Sequence, residues 1–262
     1  MKKSNSRYFV FLVLVLVFSI PFYIWAAFFP VEGLPFGLPV SFLMIFVPFF
    51  LSLIYAWKDN CKKEVVQLFK SILDIKKADT WAIVFCIACM PLIAILTYLT
   101  MKLFSLSLPT GIVIFVNDIP LMLVLYFLGA IPEELGWTYT LTGPLTKAYG
   151  PNKTGFMIGA VWALWHVIPW SWTHPAWWII GMCVLNVLVR TAMVYAYVYG
   201  GRSLFTGLIF HTMINVSMSI FPNNGSHMNP WIFSVWMAVI LLFLILFIKK
   251  KGNLSHTDND IS

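Results

Sequence analysis

The chain has 262 residues, of which 60% are hydrophobic and only 10% are charged, and its formal net charge is +7. Soluble domains carry about 25% charged residues, so this composition excludes a soluble globular protein. It predicts an all-α polytopic membrane protein that lies mostly within the bilayer.

Apolar segments follow one another along the chain, and most approach the ~20 residues that a helix needs to cross hydrocarbon. They span residues 8–29, 36–57, 80–103, 113–138, 154–172, 176–199, 203–221 and 229–248. We therefore predict about eight transmembrane helices. Helices 1–3 form an N-terminal region (1–112), helices 4–7 form a core region (113–221), and the last helix lies in 222–248.

Two polar segments lie outside these spans. Residues 60–78 contain many lysines, and their apolar side chains share one helical face: Val65, Phe69, Ile72 and Leu73. This pattern predicts an amphipathic helix on the cytoplasmic surface of the membrane, with a plain charged loop as the alternative. Residues 249–262 are polar and are predicted to form a disordered tail.

The basic residues predict the orientation of the chain. With eight spans and a cytoplasmic N-terminus, 15 of the 17 Lys and Arg residues fall in cytoplasmic segments, as the positive-inside rule requires. Both termini are therefore predicted to be cytoplasmic. The net positive charge then points to an anionic lipid leaflet and not to nucleic acid as the partner. We expect a multi-pass protein of a bacterial plasma membrane.

Four of the predicted spans carry ionisable side chains, which are costly in hydrocarbon. Glu133 and Glu134 lie near the end of the fourth span, His166 in the fifth, Arg190 in the sixth and His211 in the seventh. At a rise of 1.5 Å per residue, they lie about 9–16 Å from the cytoplasmic ends of their helices. We therefore predict that they converge around a water-filled cavity that opens to the cytoplasm.

Two carboxylates and two imidazoles at one site are suited to activating a water molecule. One of the adjacent carboxylates could act as a general base near neutral pH. The imidazoles could share the proton, bind a metal ion or donate to an oxyanion. His211 and Asn215 are four residues apart and share a helical face, so both could donate to one point, as an oxyanion hole requires.

Three short motifs occur along the chain: Glu133-Glu134-Leu135-Gly136-Trp137, Trp162-Ala163-Leu164-Trp165-His166 and His211-Thr212-Met213-Ile214-Asn215. In this order they resemble the signature of the CPBP (Abi, CAAX protease and bacteriocin-processing) family of intramembrane endopeptidases. The resemblance covers roughly residues 115–220. It implies hydrolysis of a peptide bond in a membrane-associated peptide or lipid-anchored protein precursor near the cytoplasmic face, in peptide processing or bacteriocin self-immunity.

The resemblance also implies a role for each motif residue. Glu133 would activate water with the help of His166, and Trp162 would support the site as the aromatic residue of the second motif. His211 and Asn215 would stabilise the oxyanion. Glu134 would hold the site together.

A mechanism in which Glu133 activates water requires no cofactor. If a divalent metal such as Zn²⁺ is present, Glu133, His166 and His211 are its candidate ligands.

One position departs from the family pattern. The family usually has an arginine where this chain has Thr138, and that cation would offset the paired carboxylates. Arg190 lies at a similar estimated depth and is the candidate replacement. Two other functions remain open. Thr138 favours a catalytically degenerate family member that serves as a membrane immunity or scaffold protein, and an ionisable relay of Glu133, Glu134 and Arg190 would suit a secondary transporter.

Overall fold

The computed structural model describes residues 2–28, 40–108 and 116–259. Within these ranges there is no strand, and eight long α-helices follow one another: α1 Lys2–Phe28, α2 Phe46–Lys70, α3 Thr80–Leu103, α4 Ile119–Glu134, α5 Gly143–Ser171, α6 Ala176–Tyr199, α7 Leu204–Ile220 and α8 Pro230–Asn259. Each helix corresponds to one predicted apolar segment, so the predicted all-α class is confirmed. The predicted boundaries at 29, 36–39 and 113–115 lie outside the described residues.

Apolar length supports a membrane-spanning bundle. Six segments of the described chain are long and apolar enough to cross a membrane, and one of them, Val116–Ser171, contains both α4 and α5. α7 is a shorter apolar helix of 17 residues. The chain is thus a multi-pass membrane protein, and the cytoplasmic location of its termini stays a prediction.

The segment 60–78 differs from its prediction because it is not a separate helix. α2 continues without a break to Lys70, and two short 3-10 turns follow, Ser71–Leu73 and Ile75–Lys77. No proline or glycine interrupts residues 58–70, and each residue added to an existing helix contributes a further backbone hydrogen bond. Val65 and Ile72 pack inward, whereas Leu73 is exposed.

The last helix also extends further than predicted. α8 continues to Asn259, whereas the sequence predicted an end at 248 and a disordered tail over 249–262. Residues 260–262 lie outside the described part. Lys251 lies 3.6 Å from Asp79 and its ammonium group faces the ring of Trp81, and these contacts fasten α8 to the start of α3 beyond the apolar segment.

Close packing of α5 on α6 positions one side of the functional core. At Gly159, an added Cβ would lie only 2.8 Å from the Cα of Val187, and at Gly155 it would lie 2.5 Å from the Cα of Thr191. Small residues allow two helix backbones to approach this closely. The approach brings Trp162, one turn beyond Gly159, onto Arg190.

The turn between α4 and α5 positions the other side. Residues Leu135–Thr142 form a π-helix directly after Glu134, and π-helical turns occur often at functional sites. α5 bends at Gly150, where φ is +78°, so its part after Pro151 corresponds to the predicted span 154–172.

Candidate active site

The ionisable residues predicted to converge do come together where α4, α5, α6 and α7 meet. Glu133, Glu134, Arg190 and His211 are all buried, and Glu134 and Arg190 are completely inaccessible. His166 is half-buried beside them. Buried charges are stable only when they are paired and hydrogen-bonded, so the contacts of each group decide what it can do.

Glu134 is the most highly bonded side chain of the site. Its Oε2 atom accepts hydrogen bonds from Thr138 Oγ1 at 2.5 Å and Arg190 Nη1 at 2.8 Å. Its Oε1 atom accepts from Arg190 Nη2 at 3.0 Å and from His211 Nδ1 at 2.8 Å. Four donors from α6, α7 and the π-helix leave this carboxylate no free lone pair for chemistry, because a carboxylate has about four acceptor positions.

Arg190 supplies the positive charge that Thr138 lacks. Its guanidinium group binds both oxygens of Glu134 in a two-pronged arrangement, the strongest form of this pair. The carbon of that group also lies 4.3 Å from the ring centre of Trp162, within cation–π range. Arg190 thus contacts Glu134 directly, Thr138 donates a hydrogen bond to the same carboxylate, and the replacement of the family arginine by Arg190 stays a prediction.

Glu133 differs sharply from its neighbour in the chain. It is buried to all but 6%, and its Oε2 atom accepts one hydrogen bond, from Trp162 Nε1 at 3.0 Å. Its Oε1 atom has no hydrogen-bond partner among the described residues. Of the two adjacent carboxylates, only Glu133 keeps an oxygen that can accept a proton from a water molecule.

His166 is held in one orientation by its surroundings. Its Nδ1 atom lies 2.7 Å from the carbonyl oxygen of Trp162, which can only accept, so Nδ1 carries the proton. Trp170 stacks on the imidazole at 5.1 Å, and Trp165 meets it edge-to-face. The neutral ring therefore presents the lone pair of Nε2.

Trp162 is the common neighbour of the site residues. Besides its contacts with Glu133 and Arg190, its ring packs edge-to-face against His166 at 5.4 Å and against His211 at 5.5 Å. This one side chain thus contacts both imidazoles and the open carboxylate, and its supporting role stays a prediction.

Asn215 lies one turn beyond His211 on the same face of α7. Its side chain is half-buried and has no hydrogen-bond partner in the part of the chain that the structure describes. His211 Nε2 is likewise without a partner there, since its recorded bond uses Nδ1. Two side chains one turn apart on α7 thus keep potential donors that have no partner among the described residues.

Gly207 is a site residue that the sequence reasoning missed. A Cβ at this position would lie 2.9 Å from Thr138 Oγ1 and 3.3 Å from Glu134 Oε2. Only glycine leaves room for the Thr138–Glu134 contact. The spacing between Gly207 and His211 could have identified this residue from the sequence, because Gly207 is four residues before His211 and therefore lies on the same helical face.

The candidate metal ligands do not form a metal-binding set in this arrangement. Among the described residues, no group of three or more His, Cys, Asp and Glu side chains is placed to hold one ion. His166 and His211 both use Nδ1 for bonds within the protein, which leaves Nε2 of each ring available to bind another group. Glu133, His166 and His211 thus stand as separate groups in this arrangement, and their role as ligands of a divalent metal stays a prediction.

Comparison with known families gives a match over residues 115–217, to the family described as Type II CAAX prenyl endopeptidase Rce1-like. A comparison with curated proteins found no match. The matched region extends from the residues before α4 into α7 and contains all three motifs. It confirms the predicted resemblance to CPBP endopeptidases.

Proposed function

We propose that this chain, whose residues 115–217 belong to the CPBP family of intramembrane endopeptidases, is itself a competent peptidase. Its substrate would be a membrane-associated peptide or a lipid-anchored protein precursor, processed in peptide maturation or bacteriocin self-immunity. The observation that carries the proposal is the difference between the two adjacent carboxylates. Glu134 is saturated with donors, whereas Glu133 keeps Oε1 open.

The first step is the activation of water. Glu133 Oε1 accepts a proton from a water molecule, and His166 orients that water through the lone pair of Nε2. The water oxygen attacks the carbonyl carbon of the substrate and forms a tetrahedral intermediate. A positioned general base of this kind contributes about 10²–10⁴-fold to a rate.

The second step is the collapse of the intermediate. The oxyanion accepts hydrogen bonds from His211 and Asn215, and the proton held by Glu133 passes to the amide nitrogen. The C–N bond then breaks and releases a carboxylic acid and an amine, and Glu133 is again a carboxylate. His211 already donates through Nδ1 to Glu134, so its role requires a second proton on Nε2.

The competing function is a degenerate member that serves as an immunity or scaffold protein, and its specific support was Thr138. The contacts of Glu134 speak against this function. The charge that the family places at this position is supplied from α6 by Arg190, at hydrogen-bond distance from both oxygens of Glu134.

The test compares wild type with Glu133→Gln and His166→Ala, each expressed at equal level in a strain that lacks the gene. Membrane and secreted peptides are profiled by mass spectrometry. Leu164→Ala is the matched control, because Leu164 is an exposed residue of the same helix as His166. We expect one or more precursors to accumulate in both variants and their processed products to disappear, with the control like wild type. Identical profiles in all strains, with a phenotype for the deletion, would replace catalysis by the immunity or scaffold role.

A further inference from the structure

A polar cavity lies apart from the carboxylates, at the end of the bundle where α4 begins and α7 ends. We propose that this cavity and the open face of α4 between it and Glu133 bind the substrate peptide on one side of the scissile bond, with a basic group of the peptide at Asp118. The inference rests on the proposed function and specifies the substrate of that same site.

The cavity has a volume of about 270 Å³ and is lined by Asp118, Met122, Tyr126, Ser219 and Asn224. Four of these five side chains can form hydrogen bonds, which is unusual for a position between apolar helices. Tyr126 and Ser219 join the two helices by a hydrogen bond of 2.6 Å between their hydroxyl groups. A peptide backbone could exchange hydrogen bonds with such a lining.

The contacts between α4 and α7 place the cavity in line with the active site. Tyr126 pairs with Ser219, Glu134 pairs with His211, and Thr138 faces Gly207, so the helices are antiparallel. Moving from the cavity toward Glu134, the next position on α7 after Ser219 is Asn215. The proposed oxyanion donor thus lies between the cavity and the carboxylates.

Gly129 leaves the connecting face of α4 open. Positions 122, 126, 129 and 133 share one face of a helix, because they are three or four residues apart. A Cβ at Gly129 would have no other atom within 4 Å. Gly129 therefore leaves open space on this face of α4, between the cavity residues Met122 and Tyr126 on one side and Glu133 on the other.

The length of this path suits a short extended peptide. Asp118 and Glu133 are 15 positions apart, which corresponds to about 22 Å along α4 and to about seven residues of an extended strand. A substrate would thus place a basic group about seven residues from the bond that is cut.

The negative charge of Asp118, at the end of the cavity where α4 begins, determines which peptides fit. Asp118 occupies the N-cap position of α4, but its side chain makes no capping hydrogen bond. It also forms no ion pair with any residue in the described ranges. An unpaired carboxylate beside a polar cavity is complementary to a lysine, an arginine or a free amino group.

The experiment measures binding without cleavage. The full chain carrying Glu133→Gln is purified in detergent, and fluorescence anisotropy follows two fluorescein-labelled nonapeptides of apolar sequence that differ only in a Lys or a Glu at one end. We expect the Lys peptide to bind about tenfold more tightly, as one good charge contact allows. Asp118→Lys in this background should reverse the preference.

A second variant tests the path itself. Gly129→Leu fills the open space and should weaken the binding of both peptides at least about tenfold, because a filled groove excludes the chain. Leu128→Phe is the matched control, since Leu128 is an exposed neighbour on the same helix. Thermal unfolding of each variant reports whether the fold is intact, and Asp118→Lys alters only a side chain at the mouth.

The outcomes separate this inference from the proposed function. Equal binding of the two peptides to the parent and to Asp118→Lys, or undiminished binding to Gly129→Leu, overturns the groove even if the wild type cleaves peptides. The expected binding pattern supports the groove even if the wild type leaves every cellular peptide intact, because no step of the binding measurement depends on catalysis.

Discussion

The two halves of the bundle bury polar groups in opposite ways. In α1–α3 the buried Ser and Thr side chains are uncharged, and two of them, Ser19 and Ser52, donate to a carbonyl oxygen of their own helix, Ser52 Oγ to that of Pro48 at 2.7 Å. The described residues of this half bury no charged side chain. In α4–α7, by contrast, Glu133, Glu134, Arg190 and His211 are buried and bond between helices.

This difference indicates what each half does. A hydroxyl that bonds to its own helix is satisfied locally and places no demand on the neighbouring helices. A buried ion pair is held only when groups on several helices meet with good geometry, and its desolvation cost can exceed its Coulombic gain. The first half therefore reads as support, whereas the second maintains a costly arrangement that fits a chemical role.

The largest expected effects come from exchanging each adjacent carboxylate for an amide. Glu133→Gln should lower the cleavage rate by about 10²–10⁴-fold, because the general base is lost. Its unfolding temperature should stay near that of the wild type, since an amide oxygen can still accept from Trp162. Glu134→Gln should instead lower the free energy of unfolding by about 3–5 kcal/mol, because Arg190 loses its ionic partner.

The measurements are thermal unfolding in detergent and the cleavage rate of a substrate found by peptide profiling. If the two variants lost activity and stability to the same extent, the distinction between an open and a saturated carboxylate would be wrong.

Moving the positive charge sharpens the same comparison. Arg190→Leu should cost about 3–5 kcal/mol of unfolding free energy, because Glu134 is left buried without its counter-charge. Thr138→Arg in the same chain should recover a large part of the loss, since position 138 lies one turn from Glu134 and already touches Oε2.

The control for this experiment is Arg190→Lys, which keeps the charge but not the two-pronged geometry and should be intermediate. A double variant as unstable as Arg190→Leu alone would show that the position of the cation, and not merely its presence, determines stability.

Gly207→Ala should have a smaller effect, about 1–3 kcal/mol, because the new methyl group overpacks against Thr138 and Glu134. Adding Thr138→Ala removes the nearer of these two contacts and should return part of the stability. Gly143→Ala is the matched control, because the nearest atom to a Cβ there, the Tyr197 hydroxyl oxygen, is 3.9 Å away. Equal unfolding temperatures for the variants at 207 and 143 would contradict the close approach of α7.

Gly207 also illustrates what the sequence could predict and what it could not. Apolar length gave the helices, because the thickness of hydrocarbon fixes the number of residues in a span. Depth along each helix then placed Glu133, His166, Arg190 and His211 at one level. Depth says nothing about rotation around a helix axis, so it could not tell that Arg190 and His211 both bind Glu134 or that Gly207 faces Thr138.

The sequence also could not predict where helices end once they extend beyond the apolar segments. α2 and α8 continue into polar sequence, where composition no longer marks a boundary. Contacts such as Lys251 with Asp79 decide the outcome there, and they join residues far apart in the chain.

Ser52→Ala represents the supporting half and should have the smallest stability effect of these substitutions. Loss of a hydrogen bond to its own helix should cost no more than about 1 kcal/mol, and the cleavage rate should be unchanged. A fall in activity comparable to that of Arg190→Leu would mean that α2 takes part in the chemistry, and the division between the two halves would have to be redrawn.

Removal of divalent metal ions by a chelator should have no effect on the cleavage activity. This is the most stringent test of the comparison between the two halves of the bundle. In α4–α7, Arg190 supplies the counter-charge of Glu134, and Thr138 and His211 also donate hydrogen bonds to this carboxylate. Glu133 keeps an open oxygen, and it does not form one metal-binding group with His166 and His211. Cleavage by the purified protein is measured before and after dialysis against EDTA, with added Zn²⁺ as the counter-test. Loss of activity that Zn²⁺ restores would require Glu133, His166 and His211 to move together during turnover. Unchanged activity would support a counter-charge supplied by the protein itself.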